Sequence, residues 1–217
     1  MSGSENSSKR ALRSDARRNL SRILAAARAE LTERGPAIRL EDVARRAEVG
    51  PATLYRRFAG RQQLVRAVFD EYFTTEVEPL LHEAAADPDP WRGLRRGLGD
   101  SVATVVRNSA LLRAAGESGV PLNDVVPRFL APMGELLRRA QRSGVVRPEL
   151  VERDLTAVLV MALSAASSGV AEETTGGPEG WRRYFAVLLD GCRAEAATER
   201  LPFTPDDEER SGNSQPD

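Results

Sequence analysis

Between Leu40 and Phe58 the sequence "LEDVARRAEVGPATLYRRF" carries two short apolar runs at helical spacing, with only "EVG" between them. Helices this short, joined this tightly, bury their apolar faces only by crossing at a steep angle under the cover of a third helix. Val43, Ala47, Val49, Leu54 and Phe58 fall where such a unit needs apolar residues, and Ala44 is small where the two helices come closest. Gly50 suits the residue before the second helix. Pro51 suits its first turn, because the N–H that proline lacks would be unpaired there in any case. The pattern predicts a helix-turn-helix.

With the interior positions occupied, Arg45, Ala52, Thr53, Tyr55, Arg56 and Arg57 point outward, and Arg61 opens the next helix. Pro51 and Ala52 are small enough to let the start of the second helix enter a major groove. A helix N-terminus favours phosphate. Hydroxyls at Thr53 and Tyr55 can bond phosphate, Arg56 can reach phosphate or guanine, and Arg61 is placed for a further phosphate. The expected DNA-binding set is therefore Arg45, Pro51, Ala52, Thr53, Tyr55, Arg56, Arg57 and Arg61. Charge points the same way. Residues 1–66 hold Lys9 and 14 arginines against 7 acids, a balance of +8, whereas residues 67–217 hold 16 arginines against 25 acids, a balance of −9. A basic head on an acidic body fits a polyanion at one end only. Glu41 and Glu48 stand near that face and would repel DNA.

The rest of the chain also reads as helices, and no strand alternation is present, so the fold class is all-α. Residues 1–13 read as a disordered basic arm. Ser14 then caps a helix bearing Leu20, Ile23, Leu24, Ala27 and Leu31, which Gly35 and Pro36 stop. A fourth helix starts near Arg61 and is expected to end at Pro79. Asp89 is the expected cap of a fifth, with Pro90 at its first position. Short Ser109–Ala115, long Asp124–Ser143 with Pro132 inside, apolar Val151–Val170, and Gly180–Arg200 complete the set. Residues 14–60 form the head, 61–200 a helical body and 201–217 a disordered acidic tail.

At "ILAAARAELTERG" followed by "LEDVARRAEVGPATLYRRFAGRQQLVRAVFDEY" the chain resembles the N-terminal domain of the tetracycline-repressor (TetR) family of bacterial transcriptional regulators. The resemblance is specific over residues 17–73, and "RRAQRSGVVRPELVERDL" is similar to the loop joining two C-terminal helices in many members. It implies a homodimeric repressor that binds a palindromic operator in double-stranded DNA and is released by a small hydrophobic effector. The implied effector pocket draws on Phe69, Phe73, Trp91, Leu94, Leu98, Phe129, Met133 and Met161. The implied dimer face, on the last two long helices, draws on Leu159, Leu163, Ala166, Trp181, Phe185, Leu188 and Cys192. Ordinary core packing explains the aromatic and methionine positions equally well. Two residues depart from the family pattern: Glu48 stands in the turn where glycine is usual, and Arg39 stands before the second helix where Ser or Thr is common.

Other chemistry finds little support. His82, flanked by Glu78 and Glu83, has no second histidine and reads as a solvated helix end, so no metal is expected. The single Cys192 sits on an apolar face as a small hydrophobe. "RGLRRGLGD" lies in a helical pattern with no strand before it, which excludes a nucleotide loop. No nucleophile and base pair, phosphate loop or cofactor motif appears, so an enzyme is the weaker alternative. A DNA-binding regulator controlled by a protein antagonist, or by no effector, is the nearer one. The longest apolar run, Leu155–Ala166, falls short of the roughly 20 residues a membrane span needs. One cysteine and a polar N-terminus suit a reducing cytoplasm.

Overall fold

The computed structural model describes residues 2–120, 125–168, 173 and 179–202, with side chains from Asp15 onward. The chain is all-α: the described residues form helices and turns, with one isolated antiparallel bridge between Val146 and Arg193. No described helix is long and apolar enough to cross a membrane. Two compact units result, Met1–Glu78 with Arg107–Val126, and Pro79–Val106 with Pro127–Asp217.

The first unit contains α1 (Ser2–Arg34), α2 (Leu40–Arg46), α3 (Pro51–Arg57), α4 (Arg61–Tyr72) and α7 (Ser109–Glu117). The backbone of α1 is already helical at Ser2, ahead of the expected cap at Ser14, and so runs through the segment read as a disordered arm. Good helix formers in "KRALR" lead straight into the apolar-periodic part, with no breaker between them. Ile23, Leu24, Ala27 and Leu31 are buried where α1 meets α2 and α4. Leu64, Val65 and Val68 of α4 are buried as well, so this unit extends past Gly60, where the sequence reading ended the head.

Pro79 does not end α4. A π-helical turn, Phe73–Val77, follows Tyr72, and α5 (Glu78–Ala85) continues directly from it. The Glu78 N–H bonds the Phe73 carbonyl five residues back. This wider turn accommodates the proline, whose ring would otherwise collide with the carbonyl four residues before it. Polar groups gather beside the turn. Arg28 of α1 pairs with Glu76, donates to Asn108 Oδ1 at 2.6 Å and lies 5.4 Å from the Tyr72 ring centre. Burial, helped by the Glu76 charge, pushes the Tyr72 phenol up to about 12.

The second unit is built on α5, α6 (Pro90–Arg107), α8 (Val126–Arg142), α9 (Glu152–Ser167) and α10 (Trp181–Gly191). Asp89 caps α6 as expected, accepting from the N–H groups of Trp91 and Arg92 at 3.0 and 3.1 Å. Leu81, Leu94, Leu98, Met133, Leu136, Leu155 and Trp181 fill the interior. A Cβ at Gly93 would lie 2.5 Å from the Ala84 carbonyl oxygen, so α6 approaches α5 more closely than alanine allows. Arg139 donates to the carbonyls of Ala85 and Asp87 at 2.9 and 2.8 Å. It thereby satisfies carbonyls left open at the end of α5. The last helix stops at Gly191, well before the expected Arg200. Beyond it the backbone turns to pair with the loop after α8, Arg147 N–H to the Cys192 carbonyl at 3.0 Å and Ala194 N–H to the Val145 carbonyl at 2.9 Å.

Candidate nucleic-acid interface

In the first unit, Val43, Ala44 and Ala47 of the α2 segment and Leu54 and Phe58 of the α3 segment are buried, as the sequence pattern predicts; Leu40, outside that predicted set, is buried too, and Val49 is half-buried. The turn between the helices has a defined chemistry. Val49 N–H bonds the Ala44 carbonyl at 2.9 Å and Glu48 N–H bonds the Arg45 carbonyl at 3.2 Å, the paired bonds of a Schellman C-cap. Glu48 occupies its left-handed position at φ 55°, the sole non-glycine with positive φ among the described residues. Gly119 and Gly144 hold the corresponding position after α7 and α8, at φ 64° and 72°. The glutamate thus takes a conformation that glycine adopts freely. Arg39, before α2, offers no side-chain cap.

Gly50 precedes α3 in extended conformation, and its carbonyl accepts from Thr53 N–H at 2.9 Å. Pro51, Ala52, Tyr55, Arg56 and Arg57 are exposed and Thr53 is half-buried. Arg61 is exposed at the start of α4. Among the described residues no ion pair holds Arg56, Arg57 or Arg61, which leaves three guanidinium groups open to an external anion. Two other members of the expected set have internal partners. The Tyr55 hydroxyl donates to Glu41 Oε1, and Arg45 pairs with Asp42. Asp42 also takes Arg34 at 3.1 Å, while Arg46 bridges Glu30 at 3.2 Å and Glu33 at 2.6 Å. The Tyr55 bond holds the Glu41 carboxyl below its ordinary range and pushes the phenol up. Sequence spacing gives no sign of the Glu41–Tyr55 contact, because the two residues sit on different helices.

Residues 23–68 match the family model described as bacterial regulatory proteins of the tetR family, and residues 91–194 match one described as the SbtR-like transcriptional regulator C-terminal domain. A TetR transcription regulatory protein from Mycobacterium vanbaalenii is 30% identical over 84% of this chain and 99% of its own, with a TM-score of 0.57. The chain belongs to the TetR family. A TetR transcriptional regulator from Streptomyces coelicolor is 25% identical over 80% of this chain and 98% of its own, at a TM-score of 0.56. A TetR family regulator from Marinobacter aquaeolei shares the fold at 20% identity, covering 83% of this chain and 98% of its own, at a TM-score of 0.61. No curated protein matches the chain. This is therefore a DNA-binding transcriptional regulator, and its family and fold neighbours are regulators, not enzymes.

The remaining expected site residues of this TetR-family chain divide unevenly. Leu94, Leu98, Phe129 and Met133 are buried in the second unit and Trp91 is half-buried there, with the Arg193 guanidinium 5.2 Å from its ring centre. Phe69 and Phe73 are buried in the first unit. Met161 does not join the buried set: it is 47% exposed on α9. Trp181, Phe185 and Cys192, expected on the dimer face, are instead buried within the subunit, Trp181 completely. Leu159, Leu163, Ala166 and Leu188 are half-buried.

An outward apolar face exists, but it is made largely of other residues. Val160 is 54% and Val187 66% exposed, beside Ala157, Met161 and Leu188. A groove of about 510 Å³ continues along it between α9 and α10, lined by Asp154, Ala157, Met161, Val187 and Leu188. The signal was present in α10. Tyr184, Val187, Leu188 and Gly191 repeat at helical spacing, on a stripe that flanks the one formed by Trp181, Phe185 and Leu189.

Proposed function

We propose that this TetR-family chain is a cytoplasmic homodimeric repressor that occupies a palindromic operator through α2, α3 and the start of α4. A small hydrophobic effector entering the helical body releases it. The observation that carries the DNA surface is the trio Arg56, Arg57 and Arg61, exposed on α3 and at the start of α4 and free of ion pairs among the described residues. A second copy is supported by the apolar face of Val160, Met161 and Val187, since exposed apolar surface of this kind marks an interaction site. Two heads on one duplex need recognition helices about 34–36 Å apart to meet successive major grooves.

For the effector, Met133 is the flexible element. Its Sδ lies 2.8 Å from where a Cβ at Gly97 would be, so an unbranched thioether fills the space against α6. Such a side chain can re-pack around an apolar molecule lying among Leu94, Leu98 and Phe129.

Fluorescence anisotropy on duplexes from the gene's own upstream region, against random duplex at near-physiological salt, tests the reading. Equal affinity for both would overturn it. Arg61→Ala is expected to weaken binding to all duplexes alike and lower the salt slope by about 1, whereas Arg56→Ala should relax preference at one position, at about 1–3 kcal/mol. Small molecules that raise the melting temperature and release DNA would identify the effector class.

A further inference from the structure

On the face assigned to DNA, the guanidinium groups of Arg56, Arg57 and Arg61 stand open, yet the Tyr55 hydroxyl is already occupied. It donates to Glu41 Oε1, and Arg39 Nε lies 3.8 Å from the other oxygen of the same carboxylate. The adjacent acid, Asp42, takes Arg45 in the same way. Thus the two carboxylates that open α2 each hold one of the donors expected to reach DNA.

A phenol has a single proton to donate. Glu41 and a backbone phosphate therefore compete for one hydrogen bond, and a phosphate approaching that hydroxyl meets a carboxylate already beside it. The contact is not needed to seat α3. Leu54 and Phe58 are buried independently of it, while the Glu41 side chain is 48% and Tyr55 49% exposed. A hydrogen bond this exposed contributes little to folding and opens at low cost.

We infer that Glu41 acts as an internal substitute for phosphate. It positions the Tyr55 hydroxyl in the free protein and lowers the affinity of the α2–α3 face for any duplex, because the hydroxyl must leave the carboxylate before it can bind phosphate. A glutamine accepts that hydrogen bond more weakly, because its amide oxygen carries no charge, and so releases the hydroxyl to phosphate more readily. The strength of the charge-assisted bond is thus the feature that limits affinity. This rests on the reading of α2–α3 as the DNA surface, so its test has one arm that needs no DNA.

In that arm, tyrosine labelled with ¹³C at Cζ is followed by NMR as pH rises in the full-length protein. Tyr55 should ionise above the ordinary phenol range and return towards it in Glu41→Gln. If Glu41→Gln leaves the Tyr55 titration unmoved, the contact is absent and the inference is overturned, whatever the face binds. In the second arm, Glu41→Gln should raise affinity for operator and random duplex by the same factor, roughly threefold to fivefold. In a Tyr55→Phe background the same substitution should change affinity less than about twofold, on that scale.

A rise of full size in the Tyr55→Phe background would show general charge repulsion, and a change in preference among operator variants would show that Glu41 reads a base. Either result overturns the inference. Arg56→Ala separates failure of the underlying reading. If it leaves DNA binding untouched, α2–α3 is not the DNA surface and the inference falls with it, even where the titration arm has succeeded.

Discussion

Glu48 shows how much one residue can disturb without changing the fold. Its left-handed φ of 55° closes the cap that turns α2 towards α3, and the same cap is closed by glycine after α7 and α8. An L side chain in that region costs roughly 1–2 kcal/mol, against which a glycine costs about 0.4–1 kcal/mol more in the unfolded chain. Glu48→Gly should therefore stabilise the protein by about 0.5–1 kcal/mol, read as a higher urea midpoint with unchanged slope. A lower midpoint would show that the glutamate side chain makes a contribution larger than its backbone strain. The departure from the family pattern was readable from the sequence. The partner of Tyr55 was not, because nothing local connects residues on two helices at a steep angle.

At the scale of elements, the inward residues of α2 and α3 were legible because each lies on a helical stripe between a turn and a proline. Helix ends were less so. Pro79 reads as a terminator, yet a π turn carries the helix past it, and Gly191 ends α10 through pairing with a distant loop. Both outcomes depend on neighbours that periodicity does not encode. Close approach is a further example, since Gly93 looks like a weak point in α6 and is in fact what lets it meet α5. Gly93→Ala should cost about 1–3 kcal/mol by overpacking against the Ala84 backbone, seen as a lower thermal midpoint. An unchanged midpoint would mean that α5 moves away freely.

Ion pairs within and between elements give a pH signature. Hydrogen bonds from Arg46 to Glu33, from Arg138 to Glu135 and from Arg92 to Asp87 hold these carboxyls below their ordinary range. A depressed folded pKa contributes stability that is present above the unfolded value, about 4, and lost as pH falls through the folded one. Glu71, raised by burial, acts in the opposite sense, since acid relieves its cost. With Glu41, which Tyr55 holds down in the same way, four carboxyls are depressed against one raised, so urea midpoints should hold between pH 7 and 5 and fall below about pH 4. A midpoint that rises on acidification would show that burial of Glu71 outweighs the pairs.

For the whole molecule, the question is what covers the outward face of α9 and α10. The sequence places apolar residues there in excess of one core, but periodicity alone does not say which phase faces inward. Trp181 and Phe185 are the large aromatics and take the interior, leaving Val187 and Leu188 outside. If that outer face joins two copies, a charge at Val187 is buried against its own symmetry mate, because a two-fold interface brings the same patch of both subunits together. Val187→Glu should then leave helix content and the thermal transition of dilute protein largely intact while shifting sedimentation from dimer to monomer. Operator affinity should fall far more than affinity for a single half-site, since linking two heads raises the effective concentration of the second into the millimolar range. A Val187→Glu protein that sediments as wild type would place the dimer contact elsewhere. One that becomes monomeric yet keeps full operator affinity would show that each head binds independently.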